Sequence, residues 1–179
     1  MRAAVLLKVG NDVSTVGIIP PGTRLPYWSN IPKVAEFAFE GIDGAYVERA
    51  RKRRERGERH VIVAGTNYGQ GSSRENAAAA PRYLGLEVVI AKSFARIHWQ
   101  NLVNFGVLPL TFADPSDYDR LDLGDTIRLA DVAGALKAGR EFDAEVEGSG
   151  GMIRVRHTLS ERQIDILLAG GAINWRRER

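Results

Sequence analysis

Apolar and polar positions fall into short runs punctuated by glycine and proline. Residues 3–10 (AAVLLKVG) form an apolar run interrupted only by Lys8 and ended by Gly10, Asn11 and Asp12, which predicts a buried strand and then a turn. A second apolar burst, VGIIP, leads into PPGTRLPYWSNIP, where four prolines prevent regular structure and leave an irregular loop of the functional kind. The spacing of Val34, Phe37, Ala38 and Phe39 predicts a short helix after Pro32, and residues 46–56 predict another, broken at Gly57. The clearest organisation follows. HVIVA (60–64) is a strand, GTNYGQG (65–71) a glycine-rich loop, and 72–84 a helix closed by Gly85. LEVVIA (86–91) is a strand, 93–105 a helix ended by Gly106, and VLPLTF (107–112) a third strand. Strand and helix alternating in this way predict parallel pairing with right-handed crossovers. Beyond Asp114 and Pro115 the pattern changes to short alternating strands near 126–129, 141–146 and 152–157. A last helix spans 160–169, opened by Ser160 and closed by Gly170 and Gly171. The expected fold is α/β: a mostly parallel central sheet with flanking helices and a small antiparallel β part, in one domain over residues 1–179.

Composition narrows the function more than the fold. A chain of 179 residues fits one domain, and 44% hydrophobic with 26% charged residues excludes a disordered chain. Lysine and arginine number 25 against 22 acids, a net charge of +3, too small an excess to imply nucleic-acid binding. The densest charge lies between Glu48 and Arg59, with seven basic residues and three glutamates. It reads as a solvated helix face laced with ion pairs such as Glu55 with Arg51; a patch for an acidic partner or RNA is the alternative. The absence of cysteine excludes disulfides, thiolate zinc sites and any iron–sulfur cluster held by this chain's own thiolates. No apolar run approaches the roughly 18 residues of a membrane span, and the N-terminal pattern lacks a signal-type apolar core, so a cytoplasmic location is expected.

Chemistry concentrates in GQGSSREN, residues 69–76, where a strand exits into a helix. Ser72 followed by Glu75 fits a capping box, so a plain helix start explains part of the motif. Three features exceed capping. Gly65, Gly69 and Gly71 let backbone approach a ligand, free N–H groups at a helix start favour an anion, and Arg74 adds a fork for a carboxylate where the helix dipole disfavours a cation. Asn67 and Gln70 either position a ligand or fix the turn.

GTNYGQGSSREN, together with APRYLG, AKSFARIHWQNLVNFGVLPLTF and RHTLSERQIDILLAGGAIN, closely resembles the C-terminal swivel domain of the aconitase family. LLKVGNDVSTVGIIPPG resembles the start of that domain, so the likeness covers nearly the whole chain. Gln70 and VLPLTF are more similar to the aconitase branch than to isopropylmalate dehydratase small subunits. The resemblance implies a β/β/α swivel architecture and a hydro-lyase that reversibly removes and adds water on a hydroxy di- or tricarboxylate. It implies Ser72 as the catalytic base and Ser73 and Arg74 as carboxylate ligands, with Gly71, Gln70, Asn67 and Arg24 as further substrate-binding candidates. It also implies a 4Fe-4S cluster as Lewis acid. Without cysteine that cluster must come from a partner, a cluster-bearing large subunit, or from a missing domain. This chain itself is expected to bind no metal.

The sequence departs from the family pattern at four positions. Val16 and Gly17 stand where an aspartate–histidine pair is usual, Trp28 where an arginine precedes Ser-Asn, and Asn76 where a histidine follows Ser-Arg-Glu. Arg24 is a possible replacement for the lost arginine. A neutral aromatic wall cannot compensate a buried carboxylate, so these changes suit a substrate with a more apolar end. A divergent aconitase and a chain with lost catalysis are the alternatives. Two other rivals are a non-catalytic anion-binding module and an RNA-binding protein. His98 reads as a helix residue supporting the loop, and Lys92, Ser93 and Arg96 as cap and solvent-facing charges or cleft-lining groups. His60 and His157 read as structural, and Asn101 and Asn104 as partners of nearby backbone.

Overall fold

The β-branched and leucine-rich runs become the strands of a barrel. In the computed structural model, which describes residues 1–21, 25–147 and 151–177, these are β1 (Arg2–Val9), β2 (His60–Ala64), β3 (Leu86–Ala91), β4 (Leu108–Phe112), β5 (Thr126–Arg128), β6 (Glu141–Glu147) and β7 (Met152–Arg156). They close in the order β1-β2-β3-β4-β7-β6-β5. The first four pair in parallel, and β7, β6 and β5 join them antiparallel. The expected mostly parallel sheet with a separate antiparallel part is therefore corrected to one closed barrel of mixed direction. The reason is edge chemistry: β5 bonds β1 and β7 bonds β4, so backbone groups that an open parallel sheet would leave unpaired are satisfied.

The helices among the described residues are α1 (Thr15–Ile18), α2 (Ile31–Val34), α3 (Tyr46–Glu55), α4 (Asn76–Tyr83), α5 (Arg96–Asn104), α6 (Val132–Ala138), α7 (Glu161–Leu168) and α8 (Ala172–Arg177). The apolar burst at 16–20 is thus partly one helical turn, and the helix expected after Pro32 is α2 continued by a 3-10 turn over Ala35–Phe37. α7 starts where Ser160 predicts, with both bonds of a capping box to Gln163. α6 and α8 have no counterpart in the sequence reading. Both are short, seven and six residues, so packing rather than local preference decides them.

Alternate positions on all seven strands, including Val5, Val63, Ile90, Leu110, Ile127, Val146 and Val155, meet in one buried cluster. The opposite faces of β1–β3 pack under α1–α4 in a second. A register shift between Val5 and Leu7 puts Leu6 and Leu7 in that second cluster together, as a bulge does. His60 lies wholly buried there, its Nε2 2.8 Å from the Tyr46 hydroxyl. On α3 the helix-face reading holds with other partners: Arg49 pairs with Asp43, Arg51 with Glu36 rather than Glu55, Lys52 with Glu48, Arg53 with Glu58 and Arg59 with Glu87.

Candidate active site

Because β1, β2 and β3 are parallel, the loops that follow them emerge at one end of the barrel, where open α/β sheets also place ligands. Those loops are bonded to one another. The Asp12 N–H donates to the Thr66 carbonyl at 2.8 Å, the Gly69 N–H to Val13 at 2.7 Å and the Thr15 N–H to Gln70 at 2.9 Å. On the other flank the Tyr68 N–H donates to the Ser93 carbonyl at 3.0 Å, and the Ala95 N–H to Tyr68 at 2.9 Å. The glycine loop is thus the middle strand of a small extended layer, with isolated bridges between Ser14 and Gln70 and between Tyr68 and Phe94.

That layer corrects the expected helix start. α4 begins at Asn76 rather than residue 72, and no side chain caps it. Ser72 stays in a bend outside the helix because the neighbouring loop holds it: the Thr15 hydroxyl donates to the Ser72 carbonyl at 3.0 Å. In place of a capping box, the Ser73 hydroxyl donates to the Glu75 carboxylate at 3.3 Å and accepts from Asn101 Nδ2 at 3.4 Å. α5 likewise begins at Arg96 rather than Ser93, since Ser93 and Ala95 are bonded to the loop.

The structure brings Ser72, Ser73 and Arg74 together at the rim of this layer, the two serines exposed and Arg74 half-buried. The Ser72 hydroxyl makes no hydrogen bond to any described residue, so its proton and lone pairs face solvent. Gly71 precedes it at φ +102°, directing the chain outward. Arg74 lies over the Trp28 ring at 6.0 Å, and its Nε is buried without a partner. Asn67 and Gln70 are occupied within the turn. Asn67 Nδ2 donates to Asp12 Oδ1 at 2.9 Å and to Gln70 Oε1 at 3.1 Å, and Gln70 Nε2 donates to the Asp12 carbonyl at 3.3 Å. Arg24 lies outside the described residues. A cavity of about 480 Å³ beside Ser73 is lined by Glu75, Asn101, Asn104 and Ile173 among others.

His98 lies beneath the loop, 1% exposed, its ring 5.3 Å from Tyr68 and neither nitrogen hydrogen-bonded. Burial lowers its pKa to about 4, and that of His60 to about 3. The unfolded chain, with histidines near 6.5, therefore takes up protons below that pH which the folded chain refuses, and stability falls as pH drops from 6.5 towards 4. Between pH 6.5 and 5 each histidine contributes a slope approaching about 1.4 kcal/mol per pH unit, readable from urea midpoints. A flat profile over that window would show both imidazoles to be accessible.

Several contacts had no local signal in the sequence. Thr15 reaches Ser72 across 57 residues, and Asn101 bonds Ser73 rather than backbone. Two of the departures from the family pattern touch each other: Asn76 Nδ2 donates to the Trp28 carbonyl at 2.9 Å, beneath the ring that Arg74 covers. Val16, on α1 beside Thr15, is 43% exposed.

Comparison with known proteins follows the same residues. The family model of the aconitase C-terminal domain matches residues 33–115. Homocitrate dehydratase, mitochondrial, of Saccharomyces cerevisiae is 37% identical over 98% of this chain and 25% of its own length. The crystal structure of 3-isopropylmalate dehydratase (LeuD) from Methanocaldococcus jannaschii superposes with a TM-score of 0.77 at 31% identity, covering all of this chain and 95% of that one. The chain belongs to the aconitase family. Aconitate hydratase, mitochondrial, of Aspergillus fumigatus is 42% identical over 76% of this aconitase-family chain. The chain spans a quarter or less of the length of these curated relatives. These two relatives are named as mitochondrial, which overturns the cytoplasmic expectation. A missing signal-type apolar core bears on secretion alone, whereas transit peptides are amphipathic and lack such a core.

Proposed function

We propose that this chain is the small-subunit or swivel component of an aconitase-like hydro-lyase that reversibly dehydrates a hydroxy di- or tricarboxylate. The observation that carries the reading is an unbonded Ser72 hydroxyl on a loop rim braced from both sides, two residues before an arginine fork. Ser72 takes the proton from the carbon beside a substrate carboxylate, and Ser73 and Arg74 hold that carboxylate. Gly71 leaves room for its approach, while Gln70 and Asn67 keep the turn in shape.

A serine open to water is a poor base, since its alkoxide gains nothing over bulk solvent. The site is therefore half of one, and a large-subunit partner covers it, excludes water and forms a heterodimer or larger assembly. The chain's own residues do not fit an iron–sulfur cluster. It has no cysteine, and among the described residues no three histidine or carboxylate side chains gather as metal ligands. The 4Fe-4S cluster of such a hydro-lyase is assigned to the partner.

The substrate class follows from what surrounds Arg74. Trp28 supplies an apolar wall beside Arg74 where a second cation would hold a second distal carboxylate, so the substrate carries an apolar end there. The RNA reading gains no support, because the basic residues of α3 are largely neutralised by carboxylates within the chain. Co-purification with a cysteine-bearing large chain, followed by turnover assays on citrate, isocitrate and alkyl-substituted malates, tests the proposal. Alkyl-malates are expected to turn over at least about tenfold faster than citrate, an apolar group in a matched pocket being worth 10- to 200-fold. Equal or faster turnover of citrate would overturn the substrate class, and a chain that never associates with such a partner would overturn the function.

A further inference from the structure

A second cleft, about 300 Å³ in volume, opens where the segment leaving β3 meets β4 and the end of β7. Phe94 and Trp99 give it apolar walls, Arg96 and Arg156 bring two cations to its lining, and no carboxylate lines it. Half of the arginines among the described residues find an acid, as Arg2 does with Glu147 and Arg82 with Glu87. Arg96 makes no hydrogen bond or ion pair with a described residue, and Arg156 makes one, from Nη2 to the Ala113 carbonyl at 2.5 Å. Two guanidinium groups bordering one cleft repel each other, and an anion between them removes that penalty. Hydroxyl donors lie on the same lining. Ser93 Oγ accepts from the Asn67 N–H at 2.8 Å, which leaves its own proton free, and Thr111 stands on the facing strand.

We propose that this cleft binds a small anion with an apolar body: a carboxylate or phosphate monoester whose charge sits between Arg96 and Arg156 and whose hydrocarbon part rests on Trp99 and Phe94. The volume is at the lower end of ligand pockets and suits a molecule of this size. The site is separate from Ser72 but shares a wall with the glycine loop, since the segment 93–95 is hydrogen-bonded to Asn67 and Tyr68. Occupancy therefore stiffens the loop that presents Ser72.

The test uses the full chain with Trp28→Phe and Trp175→Phe, so that Trp99 alone fluoresces, titrated with phenyl phosphate, phenylacetate and inorganic phosphate. Calorimetry on the unaltered chain gives the same constants without those substitutions. Both phenyl ligands should produce saturable changes, the tighter of the two identifying the head group, and inorganic phosphate should bind at least about tenfold more weakly. Arg96→Gln and Arg156→Gln should each weaken binding by about tenfold or more, the range expected for a charge-assisted hydrogen bond. Arg54→Gln, far from this cleft, should leave it unchanged. Hydrogen exchange at the Asn67 and Tyr68 amides should slow on binding. No saturable signal, equal binding by the Arg96 and Arg156 variants, or equal loss in the Arg54 variant would overturn the site, and unchanged exchange would overturn its coupling to the loop.

Discussion

Replacing Ser72 by alanine in the assembled enzyme is expected to lower kcat by about 10²- to 10⁴-fold, the range contributed by a positioned general base, while KM moves by no more than a few-fold. The split follows from the contacts. What the fold holds at this residue is its carbonyl, through the Thr15 hydroxyl, and alanine keeps that bond. The hydroxyl itself supports no other described residue, so thermal unfolding of the variant should match the parent. Arg74 remains over Trp28 to take the carboxylate, so ground-state binding persists. A variant that keeps kcat within tenfold of the parent would place the base on another group.

Replacing Gly69 by alanine is expected to destabilise the fold by about 2–5 kcal/mol, measured from urea unfolding. The backbone there sits at φ +83°, where a side chain costs about 1–2 kcal/mol. A Cβ atom would also lie 2.2 Å from the His98 ring, which is fully buried against Tyr68 and has nowhere to move. Relieving that overlap adds roughly 1–3 kcal/mol. Gly71→Ala provides the comparison. It shares the positive φ, but the nearest atom to its Cβ is Thr15 Oγ1 at 3.5 Å, an ordinary contact, so only the backbone term of about 1–2 kcal/mol remains. Equal losses at the two positions would mean that His98 yields, and that it does not brace the loop from below.

Much of the molecule was legible in one dimension. The runs HVIVA, LEVVIA and LPLTF are strands within a residue or so of where the apolar pattern puts them, because a strand buried on both faces must be apolar throughout. Ser160 opens α7 as its type predicts, because capping is satisfied by residues three apart. The same logic failed at Ser72 and Glu75, an equally good capping pair by spacing. There the backbone of 70–72 is claimed by Ser14 and Thr15, which are distant in sequence, and the longer-range bonds win.

The order of side chains alone settled the family, the position of the glycine loop, and the incapacity of a cysteine-free chain to hold an iron–sulfur cluster by its own thiolates. These depend on residue identity and on spacings of a few residues, which the covalent chain carries directly. Tertiary structure alone decided that seven strands close on themselves, that Ser72 is presented free while Asn67 and Gln70 are spent on the turn, and that Trp28, Asn76 and Arg74 stack into one wall. Each of these rests on hydrogen bonds or contacts between segments tens of residues apart. Only when the parallel strands bring their loops to one end of the barrel do those groups come within a few ångströms of each other.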